Sequence, residues 1–226
     1  MTRRRAAARW TGLLFASASL LLGASEVRGQ QRLAPGDTVM ARPEQQYEAG
    51  GFQRWLLGDG YRELWSLEIP VEVLDLDRFA GGLVPLERGG GQQTRSLRFS
   101  GADGLIYNFR SIDKDVSPSF DPQLRQSLAA DVMQDQISSL MPLSAMVVAP
   151  LLDALGVFHP QPQLTVMPDD PGLGEFREDF AGLLGWIELR PDEGENDTAG
   201  FAGSDRVVGS DRLYERLEDG SDDLVD

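Results

Sequence analysis

Residues Arg88–Asp115 decide the fold: RGGGQQTRSLRFSGADGLIYNFRSIDKD. Three consecutive glycines, Gly89–Gly91, predict a loop, and the residues after them predict a strand. A turn at 101–104, with glycine at both ends, leads into a second strand that ends at Lys114. The stretch therefore predicts a β-hairpin preceded by a glycine-rich loop.

Lys114 is the only lysine in a chain whose other 20 basic residues are arginines. A lysine presents a compact charge that can approach a phosphate, whereas an arginine presents a wide planar fork. A ligand-facing role is one interpretation of this position. The other is an ordinary lysine at the end of a strand, and the sequence leaves both open.

Apolar periodicity on both sides of the hairpin predicts an α+β fold, a small antiparallel sheet with one or two helices packed on it. Asp121 followed by proline predicts the start of a helix that runs to about Leu140. The apolar segment Ser144–Leu155 predicts a second, buried helix. Further strands are expected at Glu68–Leu76, Gly81–Arg88, Gln163–Met167 and Ala181–Leu189, and a short helix at Ser210.

The composition divides the chain into four parts. Residues 1–29 combine a basic start, an apolar stretch and small residues before position 30, which predicts a secretory signal peptide. Residues 30–46 are polar and aperiodic and predict a linker. Residues 47–190 are expected to form the α+β domain, which opens with an aromatic docking segment at 47–65. Residues 191–226 predict an acidic tail, interpreted as the start of a missing second lobe.

The charge and the residue types exclude several function classes. The formal charge is −15 at pH 7, and cleavage of the arginine-rich segment 1–29 makes it more negative. Such a surface repels phosphate backbones, so no nucleic-acid partner is expected. The chain has no cysteine, which excludes disulfides and thiolate metal sites. The leader predicts a periplasmic or outer-membrane-associated protein without a transmembrane helix after cleavage.

The order of these elements resembles the small N-terminal lobe of the protein-kinase fold. In that fold a glycine loop covers the phosphates, a lysine at the end of the third strand holds them, and an acid from the next helix holds the lysine. The resemblance implies a nucleotide- or phosphate-binding site made of Gly89, Gly90, Gly91, Ile112, Lys114, Asp131 and Asp135. In it, Asp131 or Asp135 pairs with Lys114, and Ile112 lies against an adenine ring.

Several segments together resemble a group of exported bacterial envelope proteins. The segments are YEAGGFQRWLLGDGYRELW, GGGQQTRSLRF, FRSIDKD, MQDQIS and PDDPGLGEFREDFAGLLGWIE. In that group such a stretch is the first part of a kinase-like domain, and it can lie beside a phosphoesterase domain or ahead of an outer-membrane barrel. The resemblance extends from about residue 47 to the C terminus and implies no substrate.

Three functions stay open at this point. The first is an incomplete kinase-like module that binds a nucleotide or phosphate weakly and does not catalyse transfer alone. It has no His-Arg-Asp-like stretch, and the Asp-Phe-Ala-Gly run at 179–182 is interpreted as a turn after a helix. In a complete protein, ATP with Mg²⁺ would be the cofactor.

The second possible function is a non-catalytic module whose tryptophan-rich segment and acidic tail dock a neighbouring envelope protein. The third is a truncated product without a function of its own.

Overall fold

A computed structural model describes residues 33–89, 93–193, 200–204 and 206–219. The strands are β1 Thr38–Ala41, β2 Ile69–Glu72, β3 Leu83–Arg88, β4 Thr94–Gly101, β5 Ile106–Lys114, β6 Gln163–Val166 and β7 Leu184–Leu189. The helices are α1 Gly51–Leu57, α2 Arg62–Ser66, α3 Leu128–Asp135, α4 Ser144–Leu155, α5 Arg177–Phe180 and α6 Ser210–Asp219. The predicted signal peptide lies outside the described residues.

The strands form one antiparallel sheet of five, in the order β3-β4-β5-β7-β6, and a second sheet of two, β1 and β2. The predicted α+β class with a small antiparallel sheet is confirmed. The hairpin of β4 and β5 lies within the larger sheet, where Leu97 faces Phe109 and Phe109 faces Ile187 of β7. These three side chains are fully buried on one face. Ile112, three positions after Phe109, is buried on the opposite face.

Each face of the sheet carries its own apolar cluster. The cluster around Phe109 includes Phe180. Phe180 ends α5 and a turn follows it, which agrees with the interpretation of 179–182. The cluster around Ile112 contains side chains from both sheets and from the loops and helices between them. These are Val39, Tyr47, Trp65, Val71, Val73, Val116, Ile137, Val166 and Leu184.

The stretch predicted as a linker contributes to the second cluster. Residues 38–41 form β1, which pairs antiparallel with β2 and places Val39 opposite Val71. Val73 then bridges in parallel to Val166 of β6 and so connects the two sheets. The linker prediction is therefore corrected for this part of 30–46, because the strand buries an apolar side chain in the domain core.

The first long helix begins later than predicted. The carboxylate of Asp121 accepts a hydrogen bond from the backbone N–H of Gln123 at 3.0 Å, which forms a turn and not a helix start. The helix α3 begins at Leu128, where the hydroxyl of Ser127 accepts from the N–H of Ala130 at 3.3 Å. Six residues that were expected to be helical, 122–127, are therefore in turns or cap the helix.

The second predicted helix, α4, forms over the expected residues but is not buried. Ala149 is the single buried residue of its 12, and Leu151 and Leu155 are 59% and 76% exposed. In the described part of the chain no single helix has the length and hydropathy to cross a membrane. Only the bent pair Leu128–Ser139 and Ser144–Leu155, with 40° between its members, meets both criteria when taken together.

The aromatic segment 47–65 is attached to the end of α3. Trp65 is buried, and its Nε1 donates to the carbonyl of Leu140 at 2.9 Å. Gly60 adopts a left-handed φ of 52°, and a Cβ there would lie 2.6 Å from the carbonyl oxygen of Ser138. Trp55 on α1, in contrast, is 78% exposed. The segment is thus partly core, and it presents aromatic surface mainly on α1, with Tyr61 before α2 also exposed.

Candidate functional site

A cleft opens where β5 ends beside α3, and we call it the Lys114 cleft. Its volume is about 540 Å³. The charged side chains that line it are Arg95, Asp113, Lys114, Asp115, Arg125 and Asp131. A cavity of this size falls within the range of small-molecule sites, roughly 300–1,000 Å³.

Local backbone features bring the cations to this cleft. Lys114 is the last residue of β5 and lies opposite Thr94 of β4. The pairing of β4 with β5 is irregular between Thr94 and Ser96, which leaves Arg95 outside the regular register. Arg125 comes from the turn before α3, and its Nε donates to the carbonyl of Phe120 at 3.2 Å.

The three cations of the cleft differ from most arginines of the molecule. Across the described residues, arginines on several elements form ion pairs with carboxylates. Arg95, Lys114 and Arg125 form none with any described carboxylate, and the guanidinium of Arg95 donates only to the backbone carbonyl of Asp179, at 3.4 Å. Positive charge in the cleft is therefore not neutralised by direct ion pairs within the described structure.

Two of the three cleft carboxylates are engaged in local hydrogen bonds. Asp113 accepts from the hydroxyl of Tyr47 and from Nε2 of Gln46, both at 3.1 Å. Burial raises the pKa of Asp113 above the ordinary aspartate value. Asp115 accepts from the backbone N–H of Ser117 at 2.8 Å. Asp131, on the first turn of α3, is exposed.

The structure brings two of the predicted site residues together. Lys114 and Asp131 line the same cleft, although they do not form an ion pair. Gly89 lies at the end of β3, where its N–H donates to the carbonyl of Ser96 at 2.8 Å. A Cβ at Gly89 would collide with the Ser96 side chain, so close packing explains this glycine. Gly90 and Gly91 lie outside the described residues.

Two other predicted roles are corrected. Ile112 is 2% exposed and packs in the apolar cluster on its face of the sheet, so it does not present a surface to an adenine ring. Asp135 pairs with Arg62 of α2 and not with Lys114. Asp135 lies one helical turn beyond Asp131, on the side of α3 that packs against the segment 47–65.

Sequence reasoning did not find Arg95, Arg125 or Gln134 as cleft residues. Arg95 and Arg125 carry no distinguishing signal among 20 arginines. The irregular pairing that displaces Arg95 depends on three-dimensional register, which a local pattern does not encode. Gln134 is a polar residue in an amphipathic helix, where a solvent-facing position is the ordinary expectation.

The charge pattern suits an anion better than a protein-bound metal ion. No group of three or more His, Asp or Glu side chains is placed to hold a metal ion in the described parts of the chain. A divalent cation in the cleft would therefore need additional oxygen ligands, such as those of a phosphate. The cations of the cleft could contact phosphate oxygens, and its carboxylates could contact a metal ion that is bound to the phosphate.

Comparisons with known proteins gave no match to a protein-family model, to a curated protein or to a solved structure. The kinase-like resemblance therefore stays a prediction. The geometry of the Lys114 cleft is the basis for a functional proposal.

Proposed function

We propose that this chain is a non-catalytic binding module for a phosphate-bearing ligand, with a magnesium-bound nucleotide phosphate as the expected class. The observation that carries the proposal is the convergence of Arg95, Lys114 and Arg125 on one cleft without an ion-paired carboxylate among the described residues. Like charges gathered at one place repel one another, and an anion that binds between them removes this repulsion. The chain as a whole is acidic, with a formal charge of −15, so three cations without a direct ion pair in one cleft are distinctive, even beside three cleft carboxylates.

The mixture of charges in the cleft favours phosphate with a metal ion over a simple carboxylate ligand. The three cations can meet phosphate oxygens, and Lys114 does so as a point charge. Asp131 is exposed at the same cleft and can meet a magnesium ion held by the phosphates. A nucleotide without a metal ion would be repelled by this carboxylate and by the net charge of the protein.

The cleft is expected to select phosphates rather than the base. Ile112, the predicted adenine contact, is buried in the core and does not line the cleft. Polar and charged side chains predominate among the lining residues. ATP, GTP and inorganic triphosphate are therefore expected to bind with similar affinity. Phosphoryl transfer is not expected, because the sequence has no His-Arg-Asp-like stretch to supply a catalytic loop.

Calorimetric titration of the full chain with magnesium pyrophosphate and magnesium ATP tests the proposal. Binding is expected, and it should weaken as salt rises because the contacts are ionic. Lys114→Ala should reduce affinity by at least about tenfold, equivalent to one lost charged hydrogen bond. Arg78→Ala is the matched control, since Arg78 is an exposed arginine outside the cleft. Absence of binding, or equal losses in the two variants, would overturn the proposal.

A second candidate function is docking of a partner protein through α4. This helix exposes Val147, Val148, Leu151 and Leu155 to solvent and buries Ala149 alone. A soluble domain rarely leaves a helix this apolar uncovered unless a partner covers it. The helix carries Asp153 and no lysine or arginine, and the protein is acidic. These charges favour a partner whose apolar surface is edged by basic residues.

A pair of synthetic amphipathic helices tests this second candidate. One carries leucine and lysine, the other leucine and glutamate. The lysine peptide is expected to bind the wild-type chain, and Leu151→Asp should abolish that binding while leaving the unfolding free energy within about 0.5 kcal/mol. Equal binding of both peptides contradicts the charge argument. Sedimentation of the wild-type chain as a dimer that Leu151→Asp dissociates would show that a second copy covers α4 instead.

A further inference from the structure

The side chain of Gln134 on α3 uses its whole amide group to hold the end of β5. Nε2 donates to the carbonyl oxygen of Lys114 at 2.6 Å and to the hydroxyl of Tyr47 at 2.8 Å. Oε1 accepts from the backbone N–H of Val116 at 3.0 Å. Both donors and the acceptor of the amide are therefore occupied, and the contacts join one helix to two other parts of the domain.

The hydrogen bonds to Lys114 and Val116 have the pattern of a sheet. In a strand, the carbonyl of one residue and the N–H of the residue two positions later point to the same edge. In a parallel sheet, a single residue of the neighbouring strand donates its N–H to that carbonyl and accepts from that N–H with its own carbonyl. The residue between them, Asp115, donates its N–H in the other direction, to the carbonyl of Gln93 at 2.7 Å. The Gln134 amide thus takes the place of one residue of a neighbouring strand.

This replacement occurs where β5 has lost its neighbour. Strand β7 pairs with β5 only from Tyr107 to Ser111. Lys114 lies three residues beyond Ser111, so β7 offers no partner for its carbonyl group. Without Gln134, the carbonyl of Lys114 would keep only the long contact from the Tyr47 hydroxyl, at 3.5 Å, and the N–H of the buried Val116 would lose its partner.

We propose that Gln134 is the positioning residue of the Lys114 cleft: it fixes the backbone on both sides of Asp115 and so sets where the ammonium group of Lys114 meets the ligand. The inference rests on the proposed phosphate-binding function. Asp131 lies three residues before Gln134 on the same helix, so the same contacts also fix the spacing between Lys114 and Asp131. A ligand that spans both side chains depends on this spacing.

The substitution Gln134→Glu tests the amide itself. Glutamate keeps an oxygen that accepts from Val116 N–H, but it has no N–H group to donate to Lys114 or Tyr47. Gln134→Ala removes all three contacts. Gln136→Ala is the matched control, because Gln136 is exposed and immediately follows α3. All variants are made in the full chain and titrated with magnesium pyrophosphate.

A double-mutant cycle separates positioning from general stability. Gln134→Ala is expected to weaken pyrophosphate binding about tenfold, the equivalent of one good hydrogen bond. In the Lys114→Ala background the same substitution should cause no further loss, because the group that it positions is absent. An equal loss in both backgrounds would overturn the inference, since Gln134 would then act through something other than Lys114.

A measurement without ligand keeps the inference separate from the proposed function. Because the chain has one lysine, ¹⁵N-lysine labelling gives one backbone amide signal, that of Lys114. Gln134→Ala and Gln134→Glu should both shift this signal, and Gln134→Ala should also speed hydrogen exchange at Val116, whereas Gln136→Ala should change neither. If the wild type does not bind pyrophosphate, the proposed function fails. If the Lys114 signal and the Val116 exchange rate are unchanged in both Gln134 variants, the positioning role fails.

Discussion

Arg62 and Asp135 form a two-point ion pair inside the domain, with Nη1–Oδ1 and Nη2–Oδ2 distances of 2.9 and 2.6 Å. The side chain of Arg62 is fully buried and that of Asp135 is 9% exposed. Gln53 also donates to Asp135, at 2.7 Å, and Arg62 donates to the carbonyl of Tyr47 at 3.1 Å. The pair therefore joins the segment 47–65 to α3, the helix that borders the Lys114 cleft.

Removal of one member of this pair is expected to destabilise the domain strongly. Asp135→Ala leaves the guanidinium of Arg62 buried without a counter-charge, which costs about 3–5 kcal/mol of unfolding free energy. Urea unfolding followed by circular dichroism measures the change. Glu215→Ala is the control, because it breaks the exposed pair Arg212–Glu215 and should cost less than about 1 kcal/mol. Similar losses in both variants would contradict the assignment of Asp135 to a buried pair.

The same pair predicts a dependence of stability on acid pH. The hydrogen bond from Arg62 lowers the pKa of Asp135 below the ordinary aspartate value, which is about 3.9. A carboxyl group with a lowered folded-state pKa contributes stability above its unfolded-state pKa, and loses that contribution as pH falls through its folded-state pKa. The difference in unfolding free energy between wild type and Asp135→Asn should thus be largest above about pH 4 and shrink below it. A difference that is constant from pH 7 to pH 2 would contradict this cause.

The contribution of Asp113 to the pH dependence of the unfolding free energy is expected to have the opposite sign to that of Asp135. Burial raises the pKa of Asp113 in the folded state, so its charged form is disfavoured by folding and stability falls as pH rises from the ordinary aspartate pKa to the raised one. Asp113→Asn keeps an oxygen to accept from Tyr47 and Gln46 but carries no charge. The variant should therefore be at least as stable as the wild type at pH 7 and lack this pH dependence. Unfolding free energies from pH 3 to pH 8 check the prediction, and a large loss at pH 7 would contradict it.

Gly185 of β7 is expected to tolerate no side chain. A Cβ at this position would meet the ring of Phe109 and the carbonyl oxygen of Arg110, both at contact distances that real Cβ atoms do not adopt. Gly185→Ala should therefore lower the unfolding free energy by about 1–3 kcal/mol through overpacking. Gly209→Ala provides the comparison, since nothing lies within 4 Å of the position that its methyl group would occupy. Thermal unfolding of both variants measures the contrast, and equal midpoints would argue against this packing.

The sequence predicted the strands better than the helices. Alternation of apolar residues identified β4, β5, β6 and β7 because each strand has to bury at least one face, and a period of two is a local signal. The start of α3 was predicted six residues too early. Asp121-Pro122 has residue types that are common both at helix starts and in turns. Burial of α4 was predicted from composition, which does not tell whether another element covers a helix.

The candidate site was predictable only in part, because contacts between residues far apart in the sequence decide which side chains meet there. Lys114 stood out because it is unique in the chain, and Asp131 because it follows on the next helix. The choice between Asp131 and Asp135 depended on Arg62, which lies 73 residues away from Asp135 in the sequence. Contacts over such distances follow from packing and have no counterpart in a local pattern.

Lys114 also gives the chain a single bond that a lysine-specific endoprotease can cut, the bond to Asp115. The carbonyl on one side of this bond accepts from Gln134, and the N–H on the other side donates to Gln93. A protease has to draw several residues into an extended form in its own active site, so both hydrogen bonds must open first. The appearance of two fragments, 1–114 and 115–226, would therefore report how often the backbone at this edge of the cleft opens.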